Sequence, residues 1–420
     1  MEFKMPSLLI KSVWKEGDVV DVLIQQNRFY KIASNIAPED IPLDTKIIDG
    51  AGKAIVAPFY NGHTHAAMTL LRGYADDMSL FKWLSEYIWP LEGKFTAAHI
   101  YCGSRLAILE MIKSGTVFFA DMYWNREETI RAAVEMGVRA TIGVTFAENL
   151  MTPESIEENF NFLKKECHHH ERIQLAVMPH SIYTVGDALW IRCAEVARAL
   201  GLVLHTHISE TNEEVENCKR DKGKTPVEYL ESLGVLGPNV VLAHAIHLTA
   251  EDVEIIKERK VTLIHNPGSN MKLGSGIMDI SSLMKAKIPI ALGTDGASSN
   301  NNLDMREEMK LASLLAKVKG DPKLLTAEEV FHMATINGAQ AYGIDAGLIE
   351  EGKLADALLL DLNNERLIPN YHLISNWVYA ADSRCIDMVI CDGQIIMENG
   401  YVRDQEAILA DVQKIISQVK

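Results

Sequence analysis

Short apolar runs alternate with helical stretches through the middle of this chain, and that alternation restricts the fold more than any other feature. The runs lie at 116–120, 139–145, 174–178, 203–206, 240–243, 261–264 and 289–292, and with 54–57 they number eight. Stretches such as 97–114, 126–136, 155–167 and 188–200 read as helices between them. Eight strand-like runs separated by helices argue for a (β/α)8 barrel of the TIM type. A doubly wound open sheet is the competing arrangement. No Gly-x-Gly-x-x-Gly follows the first run, so dinucleotide binding has no support. The two ends of the chain read differently. Runs at 7–10, 19–24 and 28–32, and again at 357–361, 386–390 and 394–397, have hairpin spacing, with Asn27 and the pair Asp392-Gly393 at turns. The expected α/β fold is therefore a barrel at 58–349 with a small β-sandwich domain built from both termini, 1–57 and 350–420.

In such a barrel the chemistry sits where the strands end. The first run leads into Pro58-Phe59-Tyr60-Asn61-Gly62-His63-Thr64-His65. On extended backbone, residues two apart point to the same side, so His63 and His65 make half of a divalent-metal site. Read alone, the pair is equally two unrelated polar residues. The other strand ends decide between these readings: His180, His205 and His207, His244, the neighbourhood of His265, and Asp295. Packing does not call for polar residues repeatedly at a barrel mouth, so a metal site is expected. The run His168-His169-His170 follows a charged helix end and reads as a solvated loop.

Composition removes several classes. The net charge is −16, from 57 acidic and 41 basic residues, which argues against a nucleic-acid surface. The six cysteines form no Cys-x-x-Cys pair, so zinc ribbons and redox motifs are excluded. No apolar run is long enough to span a membrane, and no secretion signal is evident at the N-terminus. Scattered thiols then fit a cytoplasmic protein.

Longer motifs sharpen the expectation. They are Asn61 to Gly73 (NGHTHAAMTLLRG), Trp89-Pro90-Leu91-Glu92-Gly93-Lys94, Asn266 to Leu273 (NPGSNMKL), Leu292 to Asn301 (LGTDGASSNN) and Ala334 to Ala339 (ATINGA). In these the chain resembles the amidohydrolase superfamily and, within it, the 5′-methylthioadenosine/S-adenosylhomocysteine deaminases. The resemblance implies one divalent ion per subunit, best matched by Zn²⁺, held by His63, His65, His207 and Asp295. His207 rather than His205 follows from Ile208-Ser209-Glu210, which completes the family's His-x-x-Glu. Pro179-His180 stands where binuclear relatives carry a carboxylated lysine, which implies a single metal.

The same resemblance assigns chemistry. Zinc lowers the pKa of its water to about 7. Glu210 would protonate the ring nitrogen, Asp295 would carry the water's proton to departing ammonia, and His244 would hydrogen-bond the attacking oxygen. Glu92 would bind ribose hydroxyls, His180 would contact the purine, and Trp89 would wall the pocket beneath a lid at 73–95. The implied reaction is hydrolytic deamination of a small-molecule nucleoside at purine C6: adenosine, 5′-methylthioadenosine, 5′-deoxyadenosine or S-adenosylhomocysteine. The family's carboxylate-binding arginine position after strand three falls on Val144, and 146–154 has no basic residue but carries Glu148 and Glu154. Arg139 sits too early in its strand to substitute. A neutral 5′ group is therefore expected. The alternative is a deaminase or chlorohydrolase of another heterocycle: guanine, a pterin or a triazine. A homo-oligomer is implied only by analogy.

Overall fold

The computed structural model describes residues 7–166, 170–318 and 320–417. The strands Thr116–Asp121 and Arg139–Phe146 are buried at every position, as strands covered on both faces must be. Numbered in chain order, the termini and the middle supply different strands. Leu8–Lys15 (β1), Asp18–Gln25 (β2), Arg28–Ala33 (β3), Lys46–Asp49 (β4) and Lys53–Val56 (β5) come first. The barrel follows with Phe59–Thr64 (β6), Thr116–Asp121 (β7), Arg139–Phe146 (β8), Ile173–Pro179 (β9), Val203–Ile208 (β10), Val240–His244 (β11), Thr262–His265 (β12) and Ile290–Leu292 (β13). Ala357–Asp361 (β14), Ile386–Cys391 (β15), Gln394–Glu398 (β16) and Tyr401–Val402 (β17) close the chain.

Strands β6 to β13 pair in sequence order, all parallel, as eight helix-separated strands should. One expectation changes. The run 54–57 is not the first barrel strand: β5 pairs antiparallel with β14 in the terminal sheet. The barrel begins at β6, whose sequence, Phe-Tyr-Asn-Gly-His-Thr, looks too polar for a buried strand. All six residues are nevertheless buried, because their polar groups find partners inside the protein, those of Asn61 and Thr64 across the barrel seam.

That seam joins the first and last barrel strands. Among the described residues no ladder pairs β6 with β13. Instead the Asp295 N–H donates to the His63 carbonyl at 2.9 Å. Asn61 Nδ2 donates to Thr294 Oγ1 at 2.7 Å, and the Thr294 N–H returns to Asn61 Oδ1 at 3.0 Å. Gly293 makes the approach possible, since a Cβ there would lie 2.8 Å from the His63 nitrogen. The closure of the barrel thus places His63 beside Asp295.

The terminal strands form one sheet, in the order β17-β16-β15-β14-β5-β1-β2-β3, with β4 added to β1. Leu8, Ile10, Val22 and Ile24 from one half share a core with Leu359, Met388 and Ile390 from the other. The two termini thus build one sheet with a common apolar face. Alternate residues, Leu358, Leu360 and Val389, face the barrel core.

Buried charges tie the sheet to the barrel floor. Arg139, the first residue of β8, gives Nε to Asp356 Oδ2 at 2.9 Å and Nη2 to Asp392 Oδ1 at 2.6 Å. The Tyr60 hydroxyl also donates to Asp356, at 2.7 Å. Of the histidine run, residues 168 and 169 lie outside the described residues, and so does that expectation. No described helix is long and apolar enough to cross a membrane.

Candidate metal centre and active site

Four donor atoms meet at the barrel mouth. His63 comes from β6, His65 follows it, His207 is next to last in β10 and Asp295 follows β13. The His63 and His65 rings lie 4.9 Å apart, centroid to centroid, so both side chains do turn to one side. His65 Nδ1 lies 2.6 Å from the Met122 carbonyl, and His207 Nδ1 lies 2.6 Å from the His180 carbonyl. A carbonyl only accepts, so both Nδ1 atoms carry hydrogen, and each ring in its neutral form, the form that binds a metal, has a bare Nε2. Those Nε2 atoms are 3.4 Å apart. Asp295 Oδ1 stands 3.2 Å from His65 Nε2 and 3.6 Å from His63 Nε2.

The site passes a direct test of fit to a divalent ion. His63 Nε2 is fully buried with no hydrogen-bond partner, an arrangement that is costly without a ligand. Three imidazoles and a carboxylate are the donor set zinc prefers. His244 Nε2 also falls in a group with donors of His63 and His207, all within 4.8 Å of one another. Burial alone would raise the Asp295 carboxyl, but the His63 and His65 imidazoles against it, with His244 nearby, outweigh that and hold it well below the ordinary range.

Glu210 and His244 face the same space. His244 Nε2 lies 3.8 Å from Glu210 Oε2 and 4.0 Å from Asp295 Oδ2. Each is held from behind by residues that sequence reasoning did not single out. The Glu214 carboxylate accepts the N–H of Ser209 at 3.0 Å and of Glu210 at 2.8 Å. His244 Nδ1 contacts Asn270 Oδ1 at 2.7 Å. Ser269 donates to Asp295 Oδ2 at 2.6 Å, and Ser299 lies 3.2 Å from the same oxygen. Burial pushes the Glu210 carboxyl above its usual range. Ser209, His244 and Asp295 all adopt positive φ, 48°, 71° and 61°. Left-handed non-glycine backbone costs about 1–3 kcal/mol per residue and gathers at working sites.

Residues of the segment expected as a lid cover the candidate metal donors. Leu80, Trp83, Leu84 and Trp89 line the pocket together with His65, His180, Glu92, His207, Glu210, His244 and Asp295. Every sequence-predicted site residue thus converges, with His63 just beneath. His265 is buried at the end of β12, outside that lining. Glu92 accepts a 2.6 Å hydrogen bond from the Tyr123 hydroxyl, and burial raises its carboxyl to about 7. The pocket encloses about 60 Å³, room for a few waters. Past Glu92, Trp89 and Tyr123 it adjoins a larger chamber of about 530 Å³ between the loops after β7 and β8. Arg126 is the basic residue of that chamber's lining. Arg139 is far below, in the floor cluster, as its early place in the strand implied. Glu148 points away and accepts the Gly186 N–H at 2.9 Å.

Known proteins resemble this chain in sequence and in fold. The sequence profile described as the amidohydrolase family matches residues 54–396. A 5′-deoxyadenosine deaminase from Methanothermobacter thermautotrophicus is 44% identical over 385 residues, covering 90% of this chain and 89% of that protein. A 5-methylthioadenosine/S-adenosylhomocysteine deaminase from Thermococcus sibiricus is 44% identical over 384 residues, again covering 90% and 89%. Among solved structures, an adenosine deaminase from Xanthomonas campestris with bound zinc superposes with a TM-score of 0.92 at 29% identity, covering 98% of both chains. The profile match spans the barrel strands and the four donors at their ends, and the chain belongs to the amidohydrolase family.

Proposed function

We propose that this protein hydrolytically deaminates adenosine-type nucleosides at purine C6. One observation carries the reading: Glu210, His244 and Asp295 converge on one space, and Glu92 stands at the far side of the same pocket. A divalent ion held by His63, His65, His207 and Asp295 would supply an acidified water. Glu210, whose carboxyl burial keeps protonated more readily than usual, gives its proton to the ring nitrogen beside C6. Asp295 takes a proton from the attacking water and passes it to the amine. The new C–O bond forms, the C–N bond breaks and ammonia leaves, and the remaining hydroxyl proton returns to Glu210 as the C6 carbonyl forms. His244 orients the oxygen. His180, held neutral by burial and neighbouring imidazoles, lies against the purine.

Glu92 presents acceptors to the ribose diol, so the 5′ group extends into the adjoining chamber. Trp89, Phe95 and Trp124 give that chamber apolar walls. Arg126 already bonds Asn159 at 2.9 Å and pairs with Glu127 at 3.3 Å. A neutral 5′ group such as methyl or methylthio is therefore our reading. The small volume above the ligands means that the lid must lift for entry. The five described cysteines are unpaired, which supports a cytoplasmic setting.

The test is a panel of 5′-deoxyadenosine, 5′-methylthioadenosine, adenosine and S-adenosylhomocysteine, followed by ultraviolet change and ammonia release. Inosine-type products are expected, and absence of turnover on all four sinks the proposal. Glu92→Gln should lower kcat/KM for nucleosides about tenfold while sparing a free base, since only the former offers a diol. Equal losses on both would return the reading to a deaminase of another heterocycle.

A further inference from the structure

His63 differs from the other two histidine donors in what lies behind it. His65 and His207 are each set by a backbone carbonyl, which admits one hydrogen-bond direction. His63 Nδ1 instead lies 2.8 Å from Nε2 of His205, an imidazole nitrogen able to donate or to accept. The direction must be decided further back. His205 Nδ1 is 3.0 Å from the Tyr342 hydroxyl, and that hydroxyl is 2.6 Å from the Gly62 carbonyl.

The chain can be solved from its far end. The Gly62 carbonyl has no hydrogen to give, so the Tyr342 hydrogen is committed to it. The Tyr342 oxygen then only accepts from His205, whose Nδ1 must carry hydrogen. A neutral imidazole has one such hydrogen, so His205 Nε2 is bare and accepts from His63 Nδ1–H. His63 Nε2 is thereby bare as well, and it is the buried atom left without a partner. All three hydrogen bonds point the same way, ending one residue from where they start. His205 and Tyr342 are fully enclosed, at 0% and 3% exposure, so water cannot substitute for either.

We propose that His205 and Tyr342 are positioning residues of the metal centre: together they fix the tautomer and ring plane of His63. This assigns a role to the strand-five histidine that is not itself a donor. It also explains the segment 334–339, whose helix lays Gly338 where a Cβ would sit 2.5 Å from the Tyr60 carbonyl. That close approach brings Tyr342 under Gly62. The inference concerns the metal site alone and does not depend on which nucleoside is used.

The test needs no substrate. Metal-free wild type, Tyr342→Phe, His205→Leu and His205→Gln are titrated with zinc against a chromophoric chelator. Tyr342→Phe and His205→Leu are expected to bind zinc about ten- to a hundredfold more weakly, the usual loss on removing a group that orients a metal ligand. His205→Gln keeps an acceptor near His63 and should recover part of the loss. Zinc affinity within twofold of wild type in both Tyr342→Phe and His205→Leu overturns the proposal. If His205→Leu does not fold, Tyr342→Phe alone decides. Nitrogen-15 imidazole shifts of the metal-free wild type give an independent reading. His205 protonated on Nδ1 supports the chain, and His205 protonated on Nε2 overturns it.

Discussion

The two ends of the barrel handle buried charge in opposite ways. At the floor, Arg139 meets both Asp356 and Asp392, Tyr60 donates to Asp356, and the Asp392 N–H bonds Asp356 Oδ1 at 2.6 Å. Arg172, 3.6 Å from Asp392 Oδ2, is the second cation, so two arginines meet two aspartates, and the cluster joins the strand carrying Arg139 to the terminal sheet. At the mouth, His63 Nε2 and Asn270 Nδ2 are buried without partners. Three residues there hold left-handed backbone, and the carboxyls of Glu210 and Asp295 are pushed in opposite directions. One protein thus holds a polar cluster that is complete by itself and another that is complete only with something bound. Matched charges make structure, and unmatched ones mark chemistry.

Substitutions at the two ends should separate these roles. Glu210→Gln should lower kcat by roughly a hundred- to ten-thousandfold, the range for a general acid–base group, with an unchanged melting temperature. A fall in stability matching the fall in rate would erase the contrast. At the floor, Arg139→Met leaves the buried Asp356 carboxylate without a counter-charge, while Arg172 still faces Asp392 at 3.6 Å, and should cost about 3–5 kcal/mol in denaturant unfolding. Turnover per folded molecule should remain, and a selective loss of kcat would mean that the floor reaches the chemistry.

Glu214→Gln sharpens the comparison, because it replaces an acceptor that serves two N–H groups with one that can serve a single one. A drop in kcat of about tenfold with little change in KM is expected, and a change confined to KM would reassign Glu214. The smallest effect concerns Glu308, which accepts the Gly268 N–H at 2.9 Å and Asn300 Nδ2 at 2.8 Å behind the mouth. Burial raises its carboxyl to about 8. The folded protein therefore keeps a proton that the unfolded chain releases in the ordinary carboxylate range. The stability this confers is full at acid pH and is lost as pH rises through about 8. The melting temperature of wild type should fall more steeply than that of Glu308→Gln between about pH 6 and about pH 9. Parallel curves would discount the buried proton.

The mouth was more legible in sequence than the elements that support it. His63, His65, His207 and Asp295 stand at strand ends, where local pattern and residue type suffice. The first barrel strand was misplaced because β5 is apolar and β6 is not. Apolarity marks burial against hydrocarbon, whereas β6 is buried against polar partners such as Thr294, 233 residues away. The supporting residues escaped notice for the same reason. Tyr342 lies 137 residues from His205, and Ser269 lies 26 from Asp295, so no periodicity or short motif links them.

The alternation of strand and helix and the donor types at the mouth followed from sequence, because each is a property of neighbouring residues. Which nitrogen of His63 is bare, which carboxyl keeps a proton and which chamber adjoins Glu92 were settled only by the closed barrel. Those properties belong to contacts across the seam and between loops. A hydrogen bond has a direction only once both of its partners are in place.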